Sequence, residues 1–348
     1  MIFSRFYNFA SLLGVTALVS TLLAVAPWQN QVLAQTDEFT CSGKNIMEGL
    51  ADKHLTLLQA EAAKIPNGTG NLWRVDVPGK APSYIFGTMH LADPRLRTMT
   101  GKATVAFESA ETLALEITEI LEPEKMAAKA FTIVQLTSYL DGQSLDDKLD
   151  PVFVPKLQKR VEDVAGLPWS VARKMRPWAL LGAVALPACE FARKRVGMPF
   201  LDMALGQNAK SGNKTIVGLE TLDGQLKAMS ELPEESMLLA LKQTIDLGPR
   251  LEDMFETMIV LYKREELGLL WALLRHFGPE GITDKPNDAG YADFQRIIID
   301  KRNIGMADAS EPLIAAGGAF IAVGALHLPG EKGLVQLLKD RGYTVSRP

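Results

Sequence analysis

The sequence predicts an α/β (α+β) protein in which a mixed central sheet is interrupted by a large all-helical insertion. Short strand-like apolar runs are concentrated towards the two ends of the chain, and each end carries one buried strand that runs into Gly-x-x-His. Between them, apolar residues recur at three- and four-residue spacing over residues 121–200 and 226–280, which is typical of helices. We therefore expect one domain over residues 35–348, with two pseudo-repeated halves and a core formed by residues 71–120, 212–225 and 290–348.

Residues 1–34 have the pattern of a secretion signal peptide. Arg5 supplies a positive charge, and residues 10–25 are almost wholly apolar but shorter than the roughly 20 residues that a membrane-spanning helix needs. Small residues in Val32–Ala34 match a signal-peptidase site, so we expect Gln35 to begin a mature periplasmic or otherwise extracytoplasmic chain. An uncleaved membrane anchor is the alternative. After cleavage we expect no membrane span.

The composition, with 47% hydrophobic and 22% charged residues in 348, is ordinary for a globular protein. A net charge of −4, without a basic stripe, argues against a nucleic-acid partner. The two cysteines, Cys41 and Cys189, favour a disulfide if the compartment is oxidising. Two buried free thiols are the alternative, because the sequence does not reveal the distance between their Cα atoms.

The first part of the chain shows a helical pattern of apolar residues, which is followed by strand-like runs. Residues 44–63 carry apolar residues at helical intervals and end at the breaker cluster Pro66–Gly70. Two β-rich runs surround Pro78-Gly79, which is typical of a hairpin. The expected hairpin, helix and buried strand cover residues 72–88, 101–110 and 112–118.

The second part, beyond the first helical block, returns to the α/β pattern. Residues 278–288 are rich in glycine, proline and aspartate, and we expect them to form a loop. The other predicted elements are a helix at 200–210, a strand at 215–219, a helix at 291–316, a buried strand at 320–324, a short helix ending at Lys339 and a last strand at 342–345.

Two of the four histidines lie in matching contexts. His90 and His327 each follow a predicted strand in the pattern Gly-x-x-His-Leu, which begins at Gly87 and Gly324. A strand carries the chain to the carboxyl edge of a sheet, where α/β proteins usually bind ligands, and glycine permits a sharp turn or close backbone approach. Imidazole is a common metal ligand and titrates near neutral pH. A hydrogen-bonded structural role is the alternative for each histidine.

Each half also contains a glutamate at the end of an apolar strand-like run, Glu116 and Glu220. Burying a carboxylate costs several kcal/mol unless it is paired or bound to a metal. With the two histidines they form a reasonable ligand set for a divalent transition metal, and one could serve as general base for a metal-activated water. A solvated loop residue is the alternative. Arg302, beside Asn303, offers donors for a carboxylate or an oxyanion, or is a salt-bridged helix residue.

Other catalytic patterns are absent from the sequence. It contains no Gly-x-Ser-x-Gly elbow, P-loop, His-Glu-x-x-His or dinucleotide fingerprint. His54 and His276 are expected at the surface or at helix ends. Cys189 has no histidine near it in sequence, which argues against a thiol nucleophile.

Five short stretches carry a further signal: PSYIFGTMHLADPR, TLALEITE, TIVGLETLDGQL, the RN and MA pairs within Arg302–Ala307, and FIAVGALHLPGEKGLVQLLKDRGY. In this order they resemble the TraB/PrgY/GumN family, which includes the animal Tiki proteins. The resemblance implies an α/β core and a metal-dependent peptidase that uses manganese, cobalt or zinc. It also implies roles for the matching positions: paired histidines at His90 and His327, acidic residues at Glu116 and Glu220, a basic residue at Arg302, and motif glycines at Gly87 and Gly324.

The leading functional hypothesis is a periplasmic metal-dependent hydrolase, peptidase-like, that acts on a peptide or small molecule. In it, His90 and His327 hold the metal, Glu116 or Glu220 ligates it or activates water, and Arg302 steadies a carbonyl oxygen or substrate carboxylate. A non-catalytic periplasmic protein that sequesters a peptide or small molecule is the alternative. A metal-free hydrolase that uses histidine and glutamate as acid and base is a third. The oligomeric state stays open.

Overall fold

The structure, a computed structural model, describes residues 39–286 and 288–348. The expected signal peptide, residues 1–34, and its cleavage site lie outside the described residues. Within the described part, no helix combines the length and apolar character required to cross a membrane.

A six-stranded mixed sheet forms the centre of the protein and confirms the predicted fold class. Strands β4, β3, β7 and β2 are parallel neighbours, β1 pairs antiparallel with β2, and β8 pairs antiparallel with β1. A separate two-stranded hairpin is formed by β5 and β6. The strands are β1 Leu72–Asp76, β2 Ser83–Thr88, β3 Thr112–Leu115, β4 Thr215–Gly218, β5 Phe277–Gly278, β6 Gly281–Ile282, β7 Ala319–Gly324 and β8 Thr344–Ser346.

Helices cover both faces of the sheet and form the region between β3 and β4 and between β4 and β7. Two π-helical turns, Val161–Ala165 and Gln295–Asp300, interrupt the regular helices. The α-helices are α1 Asp52–Ala62, α2 Gly101–Ser109, α3 Pro123–Ala128, α4 Ala130–Thr137, α5 Val154–Arg160, α6 Trp169–Ala172, α7 Pro177–Val184, α8 Ala188–Arg195, α9 Leu201–Ser211, α10 Leu222–Ser230, α11 Glu234–Leu247, α12 Arg250–Lys263, α13 Leu267–His276, α14 Asp288–Phe294, α15 Lys301–Ala316 and α16 Leu334–Asp340.

The central strand β7 is buried on both faces, and its side chains alternate between two hydrophobic clusters. Ile321 and Val323 belong to the larger cluster, which continues into the helical region. Phe320 and Ala322 face the smaller cluster beneath α2 and α9. Residues on every side of α7 are buried, as expected for a helix that is apolar all round.

The predicted disulfide between Cys41 and Cys189 is present, with a Cα–Cα distance of 5.4 Å. It joins the segment that precedes α1 to helix α8. Beside it, the carbonyl oxygen of Phe39 accepts a hydrogen bond from Nε of Arg193. The bridge therefore fixes the amino-terminal segment against the helical region.

Three local expectations from the sequence differ from the structure. The helix expected at residues 44–63 is a 3-10 turn, Ile46–Gly49, followed by α1. The expected loop at residues 278–288 contains the short β5–β6 hairpin. His276, expected at the surface or at a helix end, is the last residue of α13 but is buried, because this hairpin folds back and places the carbonyl oxygen of Thr283 2.8 Å from its Nδ1.

Candidate active site

The four parallel strands end at one edge of the sheet, and each delivers a predicted site residue there. His90 follows β2, Glu116 follows β3, Glu220 follows β4 and His327 follows β7. The register aligns these ends, since Thr88 in β2 pairs with Gly324 in β7, while Leu115 in β3 pairs with both Ala322 in β7 and Gly218 in β4. Residues far apart in sequence therefore meet because of strand order.

Glu116 lies at the centre of this group. Its Oε1 is 3.8 Å from Nε2 of His90 and 3.9 Å from Nε2 of His327. The same oxygen accepts a hydrogen bond from the backbone N–H of Gly324 at 2.6 Å. The side chain is buried. One carboxylate oxygen is thus held between the two imidazole rings.

Arg302, near the start of α15, forms ion pairs with both glutamates. Its Nη2 donates to Oε2 of Glu116 at 2.6 Å and to Oε1 of Glu220 at 2.7 Å. Its Nη1 donates to the carbonyl oxygen of Ile298 at 3.2 Å, within the π-helical turn that precedes α15. Such turns often occur at functional sites. Although burial opposes ionisation, Arg302 holds the pKa of Glu116 well below its usual range.

Glu220 has a different position from Glu116. Nε of Arg302 donates to its Oε1 and Oε2 at 3.2 and 3.1 Å. Nε2 of Gln225, on α10, reaches both glutamates, at 3.1 Å from Oε2 of Glu116 and 3.3 Å from Oε1 of Glu220. The strongest contacts of Glu220 are therefore with the guanidinium group, whereas Glu116 also faces the histidines.

Each histidine is oriented through its other ring nitrogen. Nδ1 of His90 lies 3.1 Å from Oδ2 of Asp202, whose Oδ1 accepts the hydroxyl of Thr88 at 2.9 Å. Nδ1 of His327 lies 2.6 Å from Oδ1 of Asn303. Since both partners are acceptors, both Nδ1 atoms carry a proton and both Nε2 atoms face the centre of the site.

The two imidazoles differ in charge. Partial burial opposes protonation of His90, but the carboxylates of Asp202 and Glu116 raise its pKa to about 10. Burial, together with the positive charges of Arg302 and His90, lowers the pKa of His327 to about 3. At neutral pH the site without a ligand therefore contains a charged His90 and a neutral His327. Nη1 of Arg302 lies 3.4 Å from Nε2 of His327, the unprotonated ring nitrogen.

The two motif glycines are required for different reasons. A Cβ on Gly87 would lie 2.8 Å from Cδ1 of Leu328 and 2.9 Å from Cα of Ala325, closer than such contacts occur. A Cβ on Gly324 would lie 3.2 Å from Oε1 of Glu116 and 3.5 Å from Nε2 of His90. Gly87 thus permits close packing behind the site, and Gly324 keeps space open within it.

The donor set suits a divalent metal ion in type and orientation. Nε2 of His90, Nε2 of His327 and Oε1 of Glu116 converge, and both imidazoles have the outer hydrogen bonds typical of metal-bound histidine. Across residues 39–286 and 288–348, no group of three or more histidine, cysteine, aspartate or glutamate side chains forms a ready metal site. The 3.8 and 3.9 Å separations exceed the roughly 3.4 Å between ligands of a tetrahedral zinc ion.

The structure brings all five predicted chemical residues together and adds others that the sequence analysis missed. Asp202 and Gln225 were missed, and Asn303 was noted only as the neighbour of Arg302. Asp202 lies in the first turn of α9 and Gln225 lies in α10, where a single polar residue on an amphipathic helix gives no distinctive signal. The TIVGLETLDGQL stretch contains Gln225, so it was the one sequence feature that pointed to this residue.

A cleft with a volume of about 1100 Å³, including the part open to solvent, extends from this centre. One end is formed by the polar residues described above. The remaining wall is mainly apolar and is contributed largely by helices: Met229, Phe255, Met258, Leu270, Phe294 and Ile298.

Together these features define a class: an α/β protein with a buried histidine–glutamate–arginine centre at the carboxyl edge of its parallel strands. The chain belongs to the TraB/PrgY/gumN family, whose sequence model matches residues 71–347. The earlier resemblance to this family is thereby confirmed.

Proteins named metalloproteases are among the similar sequences. Metalloprotease TIKI1 of Danio rerio is 24% identical over 307 residues, which cover 76% of this chain and 60% of that protein. Metalloprotease TIKI2 of Danio rerio is 25% identical over 320 residues, covering 79% and 60%, and TIKI2 of Xenopus tropicalis is 24% identical over 306 residues, covering 76% and 57%. The chain thus spans about three fifths of the length of these relatives. No solved structure matches the chain significantly.

Proposed function

We propose that this protein is an extracytoplasmic, metal-dependent hydrolase that cleaves peptide bonds. The observation that carries the proposal is the position of Oε1 of Glu116, 3.8 Å from Nε2 of His90 and 3.9 Å from Nε2 of His327. The similarity to proteins named metalloproteases supports the same activity. The signal pattern of residues 1–34 and the Cys41–Cys189 disulfide support a periplasmic location, because disulfides persist in oxidising compartments.

His90, His327 and Glu116 are the residues that would hold the ion. A bound divalent ion such as manganese, cobalt or zinc would polarise a substrate carbonyl and make a water molecule more acidic. Asp202 and Asn303 keep the two Nε2 atoms directed towards this position. The low pKa of Glu116 keeps this carboxylate ionised, as a metal ligand must be.

Arg302 and Glu220 act through Glu116 in this proposal. Two of the guanidinium nitrogens of Arg302 are already engaged by carboxylates, so its main effect is to keep Glu116 ionised and oriented. Nη1, beside His327, is the part of Arg302 nearest to a substrate carbonyl oxygen. Glu220 holds the guanidinium group in position by accepting hydrogen bonds from Nε and Nη2. This assignment separates the two glutamates, which the sequence analysis left equivalent.

A sequestering protein without catalytic activity is the second candidate. One observation favours it: the wall of the cleft is mainly apolar. It requires ligand binding without turnover. A metal-free hydrolase, the third candidate, would use the charged His90 beside Asp202 as an acid.

Metal content distinguishes these candidates. The full chain is expressed with its own amino terminus, recovered from the periplasm, equilibrated with manganese, cobalt or zinc, and analysed for bound metal and for hydrolysis of a peptide mixture. We expect one ion per chain in the wild type and loss of metal and hydrolysis in His90→Ala and His327→Ala. The matched control is His54→Ala, which replaces a histidine that is paired with the exposed Asp284. This variant should behave as the wild type.

Each other outcome points to one alternative. Peptide binding without hydrolysis in the metal-equilibrated wild type would establish the sequestering protein. Hydrolysis that survives chelation would establish the metal-free hydrolase. Mass spectrometry of the recovered chain tests the location in the same experiment, since cleavage should leave Gln35 at the amino terminus.

A further inference from the structure

We infer that the cleft beside Glu116 is a subsite for one large apolar side chain, leucine, methionine or phenylalanine, next to the hydrolysed bond of a peptide. The inference rests on the proposed hydrolase, because it treats the bound peptide as a substrate. It also makes a separate prediction about peptide binding. It is based on the wall of the cleft, on the pairing of its polar groups and on its continuity with the histidine–glutamate centre.

The wall opposite the sheet edge comes from the helical region. Met229 lies on α10, Phe255 and Met258 on α12, and Leu270 on α13, and all four are buried at the cleft. Phe294 and Ile298 continue the surface from α14 and the π-helical turn. An apolar side chain that enters this space leaves water for an apolar surface, which is favourable.

The polar side chains of the cleft already have partners. Arg302 is paired with Glu116 and Glu220, and Asp202 is bonded to His90 and Thr88. The hydroxyl of Tyr262 donates to the carbonyl oxygen of Gly87 at 2.8 Å, so this residue presents its ring to the cleft. Against the apolar helical wall, a charged ligand side chain would lose its hydration without gaining a partner, which is strongly unfavourable.

The cleft is also continuous with the histidine–glutamate centre. The same cavity is lined by His90, Glu116 and His327 at one end and by the helical wall at the other. A residue whose backbone carbonyl reaches the centre therefore places its side chain against the wall. Because the flexible thioethers of Met229 and Met258 adapt to different shapes, the subsite should accept several large apolar side chains.

A peptide series tests the subsite directly. The peptides are acetyl-Gly-X-Gly-amide with X as leucine, methionine, phenylalanine, alanine, aspartate or lysine, and binding to the chelator-treated full chain is measured by calorimetry. We expect leucine, methionine and phenylalanine to bind at least about tenfold more tightly than alanine, and aspartate and lysine to bind more weakly than alanine. Affinity that is equal across the series, or highest for a charged residue, overturns the inference.

Two methionine variants on α12 provide a matched comparison. Met258 lines the cleft, whereas Met254, one turn earlier, is equally buried but lies outside it. Met258→Ala should change the ratio of phenylalanine to leucine affinity at least about threefold by enlarging the subsite. Met254→Ala should destabilise the protein similarly but leave the ratio unchanged. An unchanged ratio in a folded Met258→Ala also overturns the inference.

Hydrolysis of the same peptides by the metal-equilibrated protein separates the two proposals. Selective binding without hydrolysis keeps the subsite and overturns the hydrolase. Hydrolysis with no preference among the six residues keeps the hydrolase and overturns the subsite. Cleavage confined to the leucine, methionine and phenylalanine peptides supports both.

Discussion

Nη2 of Arg302 lies 2.6 Å from Oε2 of Glu116, and both side chains are buried. This single contact organises the candidate site. It holds one oxygen of Glu116 on the guanidinium group and leaves the other, Oε1, between the two imidazoles. It also supplies the positive charge that keeps the buried carboxylate ionised.

Replacement of Arg302 by methionine should therefore be costly. It leaves the carboxylates of Glu116 and Glu220 without their cation, and we expect the free energy of unfolding to fall by about 3–5 kcal/mol, as measured by urea denaturation. Arg296→Met, which removes an exposed arginine paired with Asp293, should cost less than about 1 kcal/mol. Equal unfolding midpoints for the two variants would contradict the central role of Arg302.

The outer partner of His327 gives a second prediction. Asn303→Ala removes the acceptor of the Nδ1 proton and the hydrogen bond from Nδ2 to the carbonyl oxygen of Lys332. We expect metal affinity to fall about 10- to 100-fold, measured by competition with a chelating dye. Asn303→Asp keeps an acceptor at the same distance and should retain most of the affinity. Equal loss in both variants would mean that Nδ1 orientation does not control the site.

The motif glycines should separate stability from chemistry. Gly87→Ala forces a methyl group against Leu328 and Ala325, and we expect a loss of about 1–3 kcal/mol in thermal unfolding. Gly324→Ala makes only tight contacts, so we expect a smaller loss of stability but a clear fall in metal content, because the methyl group lies beside Glu116 and His90. Gly305→Ala, with open space around it on α15, is the control and should be neutral or stabilising. A fall in metal content in Gly87→Ala and a larger loss of stability in Gly324→Ala would contradict these two assignments.

The sequence predicted the parts of this site that depend on local pattern and strand order. His90, Glu116, Glu220 and His327 each end an apolar run, and parallel strands bring such ends to one edge. The different surroundings of Glu116 and Glu220 were not predictable, because they depend on the position of Arg302. This residue lies on a helix and is 186 residues beyond Glu116 in the sequence. Asp202 was not predictable for the same reason, since its partner His90 lies 112 residues away and only tertiary packing joins them.

The disulfide gives a fourth prediction, which connects stability to the site. Helix α8 carries Cys189 and also Glu190, whose Oε2 accepts the backbone N–H of Ala92 at 2.8 Å, two residues after His90. Replacement of both cysteines by serine removes a covalent link between positions 148 residues apart. We expect the free energy of unfolding to fall by about 2–5 kcal/mol.

We also expect weaker metal binding in the serine variant, because the segment that carries His90 loses part of its support. Treatment of the wild type with dithiothreitol should reproduce both effects and should not affect the serine variant. Unfolding and metal binding that are insensitive to both changes would show that the bridge contributes nothing to the site.

The last prediction concerns Lys194, a buried lysine on α8 whose Nζ has no hydrogen-bond partner among the described residues. Burial lowers its pKa from the ordinary 10.5 to about 8, although the nearby carboxylate of Glu190 opposes this shift. Below pH 8 the lysine is charged in both the folded and the unfolded chain, so folding incurs the full cost of desolvating the charge. Between pH 8 and about 10.5 the unfolded chain binds one proton more than the folded chain, so this contribution to stability rises with pH.

Lys194→Met should therefore stabilise the protein at pH 7 by up to roughly 3 kcal/mol, the equivalent of a shift of about two and a half pKa units. The difference in unfolding free energy between variant and wild type should shrink as the pH approaches 10, because the wild type then releases the proton on folding. Urea denaturation at a series of pH values measures this difference. Lys156→Met, which replaces an exposed lysine, is the control and should show no such trend. A constant difference across the pH range would mean that Lys194 has the same pKa in the folded and the unfolded chain, and would remove burial of its charge as a cost of folding.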